Sequence, residues 1–429
     1  MDFIEHLKRY LSENEINDLL NSLNEKRTNS FVLNTGKMSA DQIESLYPNI
    51  RKHAFLENAY YYDKDEYELG KSYLFDNGAY YIMDASSMLV AYLLEINKGD
   101  LVLDMCAAPG GKSIYLSLKN NDFTLISNDI SYERCLKMSS NVEKLGLDNI
   151  IITNYDFTKK TAKYTNVFDK IILDAPCSGS AMFRKNDLAK KDWSYEKVIS
   201  LSKIQKELIA NAFSMLKKDG ILVYSTCSFS YEENEEVIEH LLKNEKDAVI
   251  VPIPLNKSFF PSKNIEGGIH LFPNKYKGEG QFICIVKKTN GDSNFIKSSQ
   301  KNQKIKNEII TNFKLNFHYY YTFKDKLYGS NSNLDIFDLK IIRYGIDICE
   351  LNKNHSIPSF NLAHYLNNSS NCIELDDNER ALYLSGQVIR KNLKIKNDYY
   401  IVSYNGLNLG FAKYIDGVLK NLYPKGLRH

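Results

Sequence analysis

The spacing of apolar positions divides the chain into three regions, and the first is short and mixed. From Phe3 to Leu23 apolar residues recur every three or four positions, which predicts helices, with Ser12 or Asn14 able to start a second one. The apolar run at residues 31–34 predicts a strand, and the pattern at residues 40–46 predicts a helix. We therefore expect residues 1–75 to form a small α/β module.

The middle region, residues 76–290, alternates β-rich apolar runs with amphipathic segments. This alternation is typical of an α/β fold with a doubly wound parallel sheet. The seven strands that it predicts lie at residues 101–105, 124–128, 150–153, 170–173, 221–225, 248–252 and 281–286. The helices that it predicts between them lie at residues 113–118, 132–145, 197–216 and 233–242. Because no comparable helix precedes the last strand, that strand is expected to insert antiparallel.

A basic and polar stretch at residues 291–306 predicts a linker to the third region. This stretch and the two residues near its start contain six lysines and a single acidic residue, Asp292. The lysines are Lys287, Lys288, Lys297, Lys301, Lys304 and Lys306. Residues 307–429 then carry apolar runs at 315–323 and 339–346, and turn signals at Asn405-Gly406 and Asp416-Gly417. This pattern predicts a β-rich C-terminal region.

Composition and charge narrow the class of protein. The 43% hydrophobic and 25% charged content is ordinary for a folded chain. A membrane span needs about 20 apolar residues, and the charge-free stretches of this chain are shorter or more polar than that. The N-terminal residues lack the pattern of a signal peptide. We therefore expect a cytoplasmic location without membrane contact. Because the net charge is only +2, a nucleic-acid site would have to come from a local cluster of basic residues. The seven cysteines form no CxxC pair, so neither disulfides nor a metal site is expected.

A loop of small residues follows the first predicted strand and is expected to line a ligand, because ligands of doubly wound sheets lie beyond the carboxyl ends of the strands. The loop consists of Cys106, Ala107, Ala108, Pro109, Gly110, Gly111 and Lys112. It has the spacing of neither a dinucleotide-binding motif nor a P-loop. Asp104, Asp129 and Asp156 end or follow three successive strands, although each alone is as often a cap or turn residue. Together they indicate an adenosine-bearing cofactor without a pyrophosphate, such as S-adenosylmethionine.

Two cysteines follow neighbouring strands of the predicted sheet. Cys177 comes shortly after Asp174 at the end of the fourth strand, and Cys227 follows the fifth. Because neighbouring strands lie about 4.8 Å apart, both thiols can face one substrate. Cysteines 106, 135 and 284 are interpreted as packing residues.

This pairing suits chemistry at carbon 5 of cytosine. A thiolate that adds to carbon 6 makes carbon 5 able to accept a methyl group. Asp174 fits at nitrogen 3, where charge develops on addition. A free thiol is only a few per cent ionised at neutral pH, so a positive charge must help. Lys112 and the sulfonium of the cofactor are the nearest candidates.

Four motifs resemble, in this order, the signatures of the Sun family of RNA cytosine-5 methyltransferases. They are DMCAAPGGKS, DAPCSGSAMFRK, YSTCSFSYEENE and GEGQFICIVKK, preceded by GAYYIMDASSM, which is similar to the lead-in segment of the family. The ending GFAKYIDGVLKNLYPKGLR resembles the closing segment of RsmF-type members, which modify small-subunit ribosomal RNA. The resemblance implies a Rossmann-like methyltransferase domain, a PUA-like end, and methylation of cytidine carbon 5 in 16S ribosomal RNA with S-adenosylmethionine as the cofactor.

The resemblance also implies roles for individual residues. Cys227 is expected to attack the base and Cys177 to assist release of the product. The family's cofactor contacts fall on residues 106–112, Asp129, Asp156 and Asp174, and Arg134 matches a further family position. In DNA cytosine methyltransferases the cysteine that follows proline is the attacker, so the reverse assignment stays open. At two peripheral positions, Met83 and Val32, this chain has neither the glutamine nor the arginine usual in the family.

The expected partner is RNA, and not DNA, bound by a monomer. A target cytidine must rotate out of its stack, so contacts to the flanking phosphates are needed. Arg184 and Lys185, which follow the Cys177 loop, and the N-terminal module are candidates for these contacts. The linker lysines are a further candidate, although such a run of lysines is more often a solvated surface. A C-terminal candidate set consists of Lys420, Tyr423, Lys425, Arg428 and His429. Two other functions stay open: a transfer-RNA cytosine-5 methyltransferase, and a ribosome-assembly RNA-binding protein without turnover. Two cysteines beside one acid argue against the second.

Overall fold

Four β-sheets organise the part of the chain that the computed structural model describes, which is residues 1–159, 162–185, 187–298, 305–353, 355–366 and 371–428. The helices in these ranges are α1 (Phe3–Leu7), α2 (Glu13–Leu23), α3 (Ala40–Leu46), α4 (Tyr73–Asp76), α5 (Ala85–Tyr92), α6 (Gly111–Lys119), α7 (Tyr132–Leu145), α8 (Asp187–Asp192), α9 (Tyr195–Met215), α10 (Glu235–Asn244), α11 (Glu308–Asn312), α12 (Phe360–Tyr365) and α13 (Asp377–Leu384).

The strands, numbered in chain order, occur from the N-terminal module to the C-terminal region. They are β1 (Asn29–Leu33), β2 (Arg51–Lys52), β3 (Ala59–Tyr62), β4 (Tyr80–Ile82), β5 (Leu101–Asp104), β6 (Thr124–Asn128), β7 (Ile150–Asn154), β8 (Phe168–Asp174), β9 (Leu216–Thr226), β10 (Ala248–Ile250), β11 (Phe260–Pro261), β12 (Ile269–Leu271), β13 (Gln281–Lys288), β14 (Tyr319–Phe323), β15 (Lys326–Ser330), β16 (Lys340–Tyr344), β17 (Ile346–Leu351), β18 (Ser356–Pro358), β19 (Cys372–Glu374), β20 (Ile389–Arg390), β21 (Asp398–Tyr404), β22 (Leu407–Ile415) and β23 (Val418–Asn421).

The N-terminal module is a four-stranded sheet in the order β2-β3-β1-β4, with short helices around it. Ser12 starts α2, because its side chain and that of Glu15 satisfy each other's backbone N–H groups in a capping box. Phe31, Tyr60 and Tyr80 stack in the buried centre of the module. Since β4 pairs with β1, this sheet continues past residue 75, where the sequence placed the boundary.

The central sheet confirms the predicted α/β fold class. Its path is β11-β12-β13-β9-β8-β5-β6-β7-β16, with β10 paired to β13. The five strands from β9 to β7 run parallel, and β13 inserts antiparallel beside β9, as expected. All seven predicted strands are present, but among the described residues the sheet has 10 strands. The count of seven fell short because β11 and β12 are only 2 and 3 residues long and β16 comes from the C-terminal region.

Both faces of the central sheet are covered by helices. Val102 on β5 belongs to the cluster with Ile114 of α6, while its neighbour Leu103 belongs to the cluster with Leu208 of α9. Alternate residues of a strand point to opposite faces, so continuous apolar runs are what such a sheet requires. With both faces closed, the carboxyl ends of the strands are where a ligand can reach the sheet.

The C-terminal region contributes two smaller sheets and one strand of the central sheet. The smaller sheets have the orders β14-β15-β17-β18 and β19-β21-β22-β23-β20. Asn405-Gly406 and Asp416-Gly417 form the predicted hairpin turns, with positive φ at all four residues. The predicted strand at residues 339–346 is β16 and the start of β17, and β16 pairs antiparallel with β7. None of the helices in the described ranges is long and apolar enough to cross a membrane.

Two lysines donate to backbone carbonyls inside the protein, and the first of them links regions of the chain. Lys37 of the N-terminal module donates to the carbonyls of Asn77 and Lys144 and lies 3.3 Å from Nδ1 of His364 on α12. Burial lowers the pKa of Lys37 to about 7. Lys288, counted with the linker in the sequence, is instead buried at the end of β13, where it donates to the carbonyls of Phe213 and Leu216. Lys301, Lys304 and His429 lie outside the described residues.

Candidate active site

A cavity of about 710 Å³ lies at the carboxyl ends of β5, β8 and β9. Asp104, Asp174 and Cys227 line its floor, and part of the N-terminal module, from Arg27 to Lys71, lines the opposite side. This is the edge of the sheet at which the first βα loop and the loops after neighbouring parallel strands converge. The cavity is therefore shared between the central sheet and the N-terminal module.

The small-residue loop lines this cavity as predicted from the sequence. Six of its residues face the cavity, namely Cys106, Ala107, Ala108, Pro109, Gly111 and Lys112. Gly110 turns the chain into α6 with a φ of 100°, and a Cβ atom there would lie 2.8 Å from the side chain of Met138. The turn therefore requires glycine and gives the ligand a wall of backbone and small side chains.

Asp104 brings an unpaired oxygen to the cavity. The hydroxyl of Ser113 donates to its Oδ2 at 2.7 Å, while its buried Oδ1 has no hydrogen-bond partner among the described residues. Burial raises the pKa of Asp104 to about 7. An orphaned carboxylate oxygen in a cavity suits a cationic ligand group. The ammonium and sulfonium of S-adenosylmethionine fit that requirement.

Replacing Asp104 with asparagine is expected to weaken binding of S-adenosylmethionine by about 10-fold or more, because a hydrogen bond to a charged group contributes roughly 1.5–3 kcal/mol. Since Asp104 becomes charged as the pH rises through about 7, wild-type affinity should increase from pH 6 to pH 7.5. Calorimetric titration at both pH values measures this. The prediction fails if the asparagine variant keeps the wild-type pH dependence.

Asp129 and Asp156 occupy neighbouring strand ends, but neither lines the cavity. Asp129 is buried, accepts from the N–H of Ser131, and lies 3.1 Å from the guanidinium of Arg134. Asp156 accepts from the N–H and hydroxyl of Thr158. Both carboxylates therefore interact with residues close to them in the sequence. Arg134 itself lines the cavity and donates to the carbonyl of Ala108. Cofactor contact by the two acids stays a prediction.

Asp174 is held at the cavity by three donors. Nζ of Lys112 donates to Oδ2 at 2.7 Å, and the hydroxyl of Ser225 and Nε2 of Gln281 donate to Oδ1 at 2.7 and 2.8 Å. Burial lowers the pKa of Lys112, but the charge of Asp174, the hydrogen bond to Asp174 and the charge of Asp104 act in the opposite direction, and that pKa lies above its ordinary value. The floor of the cavity therefore carries a fixed ion pair. Gln281 stands within the motif GEGQFICIVKK, yet sequence reasoning assigned it no role.

The structure brings Cys177 and Cys227 together. β8 and β9 pair with Asp174 opposite Ser225, so the two loops leave the sheet side by side, and the sulfur atoms lie 3.1 Å apart. Cys227 lines the cavity, whereas Cys177 is not among the lining residues. The hydrogen bond to Cys227 and burial raise the pKa of the Cys177 thiol well above its ordinary value. Cys177 is therefore a protonated thiol at neutral pH, able to donate to the sulfur of Cys227.

The other cysteines near the sheet have environments that suppress reactivity. Burial raises the pKa of Cys135 to about 11 and of Cys284 to about 12, and it also raises that of Cys106. The S–H of Cys135 lies within reach of the carbonyls of Asp129 and Thr153. No group of metal-ligating side chains occurs in the described part of the chain.

Two of the predicted phosphate contacts are used inside the protein instead. Arg184 is buried, lies 3.2 Å from Glu279 and donates to the carbonyl of Gly278, so it is not available to RNA. Tyr423 is buried in the C-terminal sheet, and Arg428 donates to its carbonyl. The prediction for Arg184 was wrong because the partners of its side chain, Gly278 and Glu279, lie 94 and 95 residues away in the sequence. Lys185 does line the cavity, and Lys420 and Lys425 are exposed.

Solved structures share this architecture. A methyltransferase homolog protein from Pyrococcus horikoshii is 27% identical, with a TM-score of 0.56 over 66% of this chain and 93% of that one. NSun6 from the same organism, solved with SFG, has a TM-score of 0.60 at 21% identity over 68% of this chain and 98% of that one, and shows likeness of fold alone.

Family models and curated relatives extend the likeness along the chain. The N-terminal domain of 16S rRNA methyltransferase RsmF matches residues 1–85, 16S rRNA methyltransferase RsmB/F matches residues 91–287, and the RsmF PUA domain matches residues 370–429. Ribosomal RNA small subunit methyltransferase F of Shewanella piezotolerans is 32% identical over 86% of this chain and 84% of its own length. The protein of the same name from Vibrio parahaemolyticus is 30% identical over 99% of this chain and 96% of its own length. With all three domains matched in order around the paired cysteines, the chain belongs to the ribosomal RNA small subunit methyltransferase F family.

Proposed function

We propose that this protein transfers the methyl group of S-adenosylmethionine to carbon 5 of a cytidine in 16S ribosomal RNA through a covalent Cys227 adduct. The observation that carries the proposal is the placement of the two sulfur atoms 3.1 Å apart, with Cys227 on the wall of the cavity that also holds Asp174 and Lys112. Family membership supports the substrate. The protein is proposed to act as a monomer on RNA, and not DNA, in the cytoplasm.

The first step is addition of the Cys227 thiolate to carbon 6 of the base. A bond forms between sulfur and carbon 6, and the electron pair of the carbon 5–carbon 6 double bond moves into the ring toward nitrogen 3. Asp174 is ion-paired with Lys112 before the reaction, so it offers a proton to nitrogen 3 after Nζ of Lys112, which donates to Asp174 at 2.7 Å, has passed it one. Carbon 5 then acts as the nucleophile.

S-adenosylmethionine, when bound, supplies the methyl group. The loop from Cys106 to Lys112 and the unpaired oxygen of Asp104 would hold it at the floor of the cavity. After transfer, a water molecule takes the proton from carbon 5, and the electron pair of that carbon–hydrogen bond re-forms the carbon 5–carbon 6 double bond. The sulfur–carbon 6 bond breaks at the same time, and its electron pair returns to Cys227. The sulfur of Cys177 lies 3.1 Å from this sulfur, so its S–H can donate to the thiolate and stabilise it as it departs.

Basic side chains around the cavity suit the phosphates of an extruded nucleotide. Lys64 and Lys71 come from the N-terminal module, and Lys185 comes from the loop after Cys177, whereas Arg27, which also lines the cavity, pairs with Glu279 at 2.6 Å. Phosphate contacts position a nucleic acid without reading its sequence. We therefore assign the N-terminal module to docking of the RNA flanks, and the exposed Lys420 and Lys425 of the PUA region to more distant RNA.

Bisulfite sequencing of RNA from a strain that lacks this protein tests the proposed function. At least one cytidine of 16S ribosomal RNA is expected to lose its methyl mark, and purified protein should restore the mark on ribosomal RNA or on small subunits. Loss of a mark in transfer RNA instead would favour the transfer-RNA enzyme. Unchanged marks in both RNAs would favour a binding protein without turnover.

A further inference from the structure

A buried carboxylate connects the two cysteine loops from behind. Glu233 ends the short 3-10 helix Tyr231–Glu233 after β9 and is 0% exposed. Its Oε1 accepts from the N–H of Ser178 at 2.7 Å, and its Oε2 accepts from the hydroxyls of both Ser178 and Ser228. Ser178 directly follows Cys177, and Ser228 directly follows Cys227. One side chain therefore binds the residue next to each thiol.

Glu233 differs from its acidic neighbours in having neutral partners. Glu232 pairs with Arg9, and Glu235 pairs with His270, whereas the donors to Glu233 in the described part of the chain are Ser178, Ser228 and Gln205. Burying a carboxylate without a cation costs several kcal/mol unless hydrogen bonds satisfy it. Burial raises the pKa of Glu233 above its ordinary value. The fold tolerates this cost at the point where the cysteine loops meet.

Glu233 supplies one of the contacts that hold the loops after β8 and β9 together. Beyond the paired residues Asp174 and Ser225, the N–H of Ala181 donates to the carbonyl of Cys227 at 3.0 Å and the N–H of Phe229 donates to the hydroxyl of Ser180 at 2.8 Å. Glu233 binds Ser178, the residue next to Cys177. The hydroxyls of Ser178 and Ser228 lie 3.1 Å apart because both reach the same carboxylate oxygen. Release of these hydroxyls would free Cys177 to move away from Cys227.

We propose that Glu233 is a positioning residue that locks the Cys177 loop against the Cys227 loop, so that the Cys177 thiol stays in place to release the covalent adduct. This inference rests on the proposed covalent mechanism. Cys227 lies on the cavity wall at the end of β9, so it can still attack the base when the lock is broken. Loss of the Glu233 contacts should therefore slow release of the product more than addition of Cys227 to the base. The adduct should then accumulate in a protein that keeps both cysteines.

Steady-state adduct measurements on the full chain test the role of Glu233. In Glu233→Gln an amide nitrogen replaces one accepting oxygen, so the fraction of protein found in a denaturation-resistant complex with 16S ribosomal RNA should rise several-fold over wild type. The value of kcat should fall about 10-fold, while KM for RNA stays within about 2-fold. The matched control is Glu235→Gln, which alters another buried carboxylate that contacts His270 and Ser262 instead of the cysteine loops. This control should show no excess adduct.

A second variant keeps the test decisive if the glutamine variant is unstable. Ser178→Ala with Ser228→Ala removes the donor hydroxyls and leaves Glu233 in place, and it should also accumulate adduct. An adduct fraction equal to wild type in both folded variants would overturn the proposal. If Cys177→Ala traps an adduct and the Glu233 variants do not, only the role of Glu233 fails. If no variant traps an adduct, the covalent mechanism fails as well.

Discussion

Replacing Cys227 with alanine is expected to abolish methyl transfer, with kcat reduced at least about 1000-fold, which corresponds to about 4 kcal/mol of transition-state stabilisation. The variant lacks the sulfur on the cavity wall that adds to carbon 6. The remaining thiol of Cys177 is not among the residues that line the cavity, so it is not placed to take over the attack. Transfer of labelled methyl groups to unmodified 16S ribosomal RNA measures the loss.

Cys284→Ala is the matched control for this loss. Cys284 is buried on β13 opposite Tyr224 of the neighbouring strand β9, and it does not line the cavity. Its removal should leave methyl transfer within a few-fold of wild type. Circular dichroism establishes that both variants are folded. Retention of more than one-tenth of wild-type activity by Cys227→Ala would rule out Cys227 as the nucleophile.

Replacing Cys177 with alanine is expected to trap the covalent complex between protein and RNA. Addition and methyl transfer use Cys227, Asp174 and the cofactor, all of which remain. Release loses the S–H donor that lies 3.1 Å from the departing sulfur, so the intermediate accumulates. Labelled 16S ribosomal RNA should migrate with the protein on a denaturing gel in Cys177→Ala.

The double variant Cys177→Ala with Cys227→Ala is the negative control for the adduct, and the single variant Cys227→Ala distinguishes the two cysteines. Under the proposed roles it forms no adduct, because the attacking sulfur is gone. Adduct formation by Cys227→Ala alone would show that Cys177 attacks, and the roles would then be reversed, as in DNA cytosine methyltransferases. Absence of adduct from every variant, with wild-type turnover intact, would exclude covalent catalysis.

The local pattern of apolar residues was enough to predict the parallel strands but not the edges of the central sheet. Runs such as residues 101–105 are buried on both faces, so composition alone marks them. The run at residues 339–346 was also recognised as β structure. However, its partner β7 lies far earlier in the chain, and no local rule relates Lys340–Tyr344 to Ile150–Asn154. The sequence therefore predicted a strand and assigned it to a separate region.

The site shows the same division between local and distant information. Cys106, Asp174 and Cys227 were predictable as neighbours because strand ends of one parallel sheet converge. Arg184 was misassigned to RNA because its partner Glu279 is 95 residues away. Glu233 was overlooked because a glutamate within an acidic run resembles a solvated one, and only folding shows which member of that run is buried against Ser178.

Strand β16 has a practical consequence for exchanging parts between relatives. It covers the outer edge of β7, with Ile341 opposite Thr153 and Tyr344 opposite Ile151. A protein truncated after residue 287, where the central family match ends, would leave the backbone groups of β7 without this partner, and such open edges promote aggregation. Chimeras that swap target preference should therefore keep β16 with the methyltransferase and transplant only the segment from residue 371 onward.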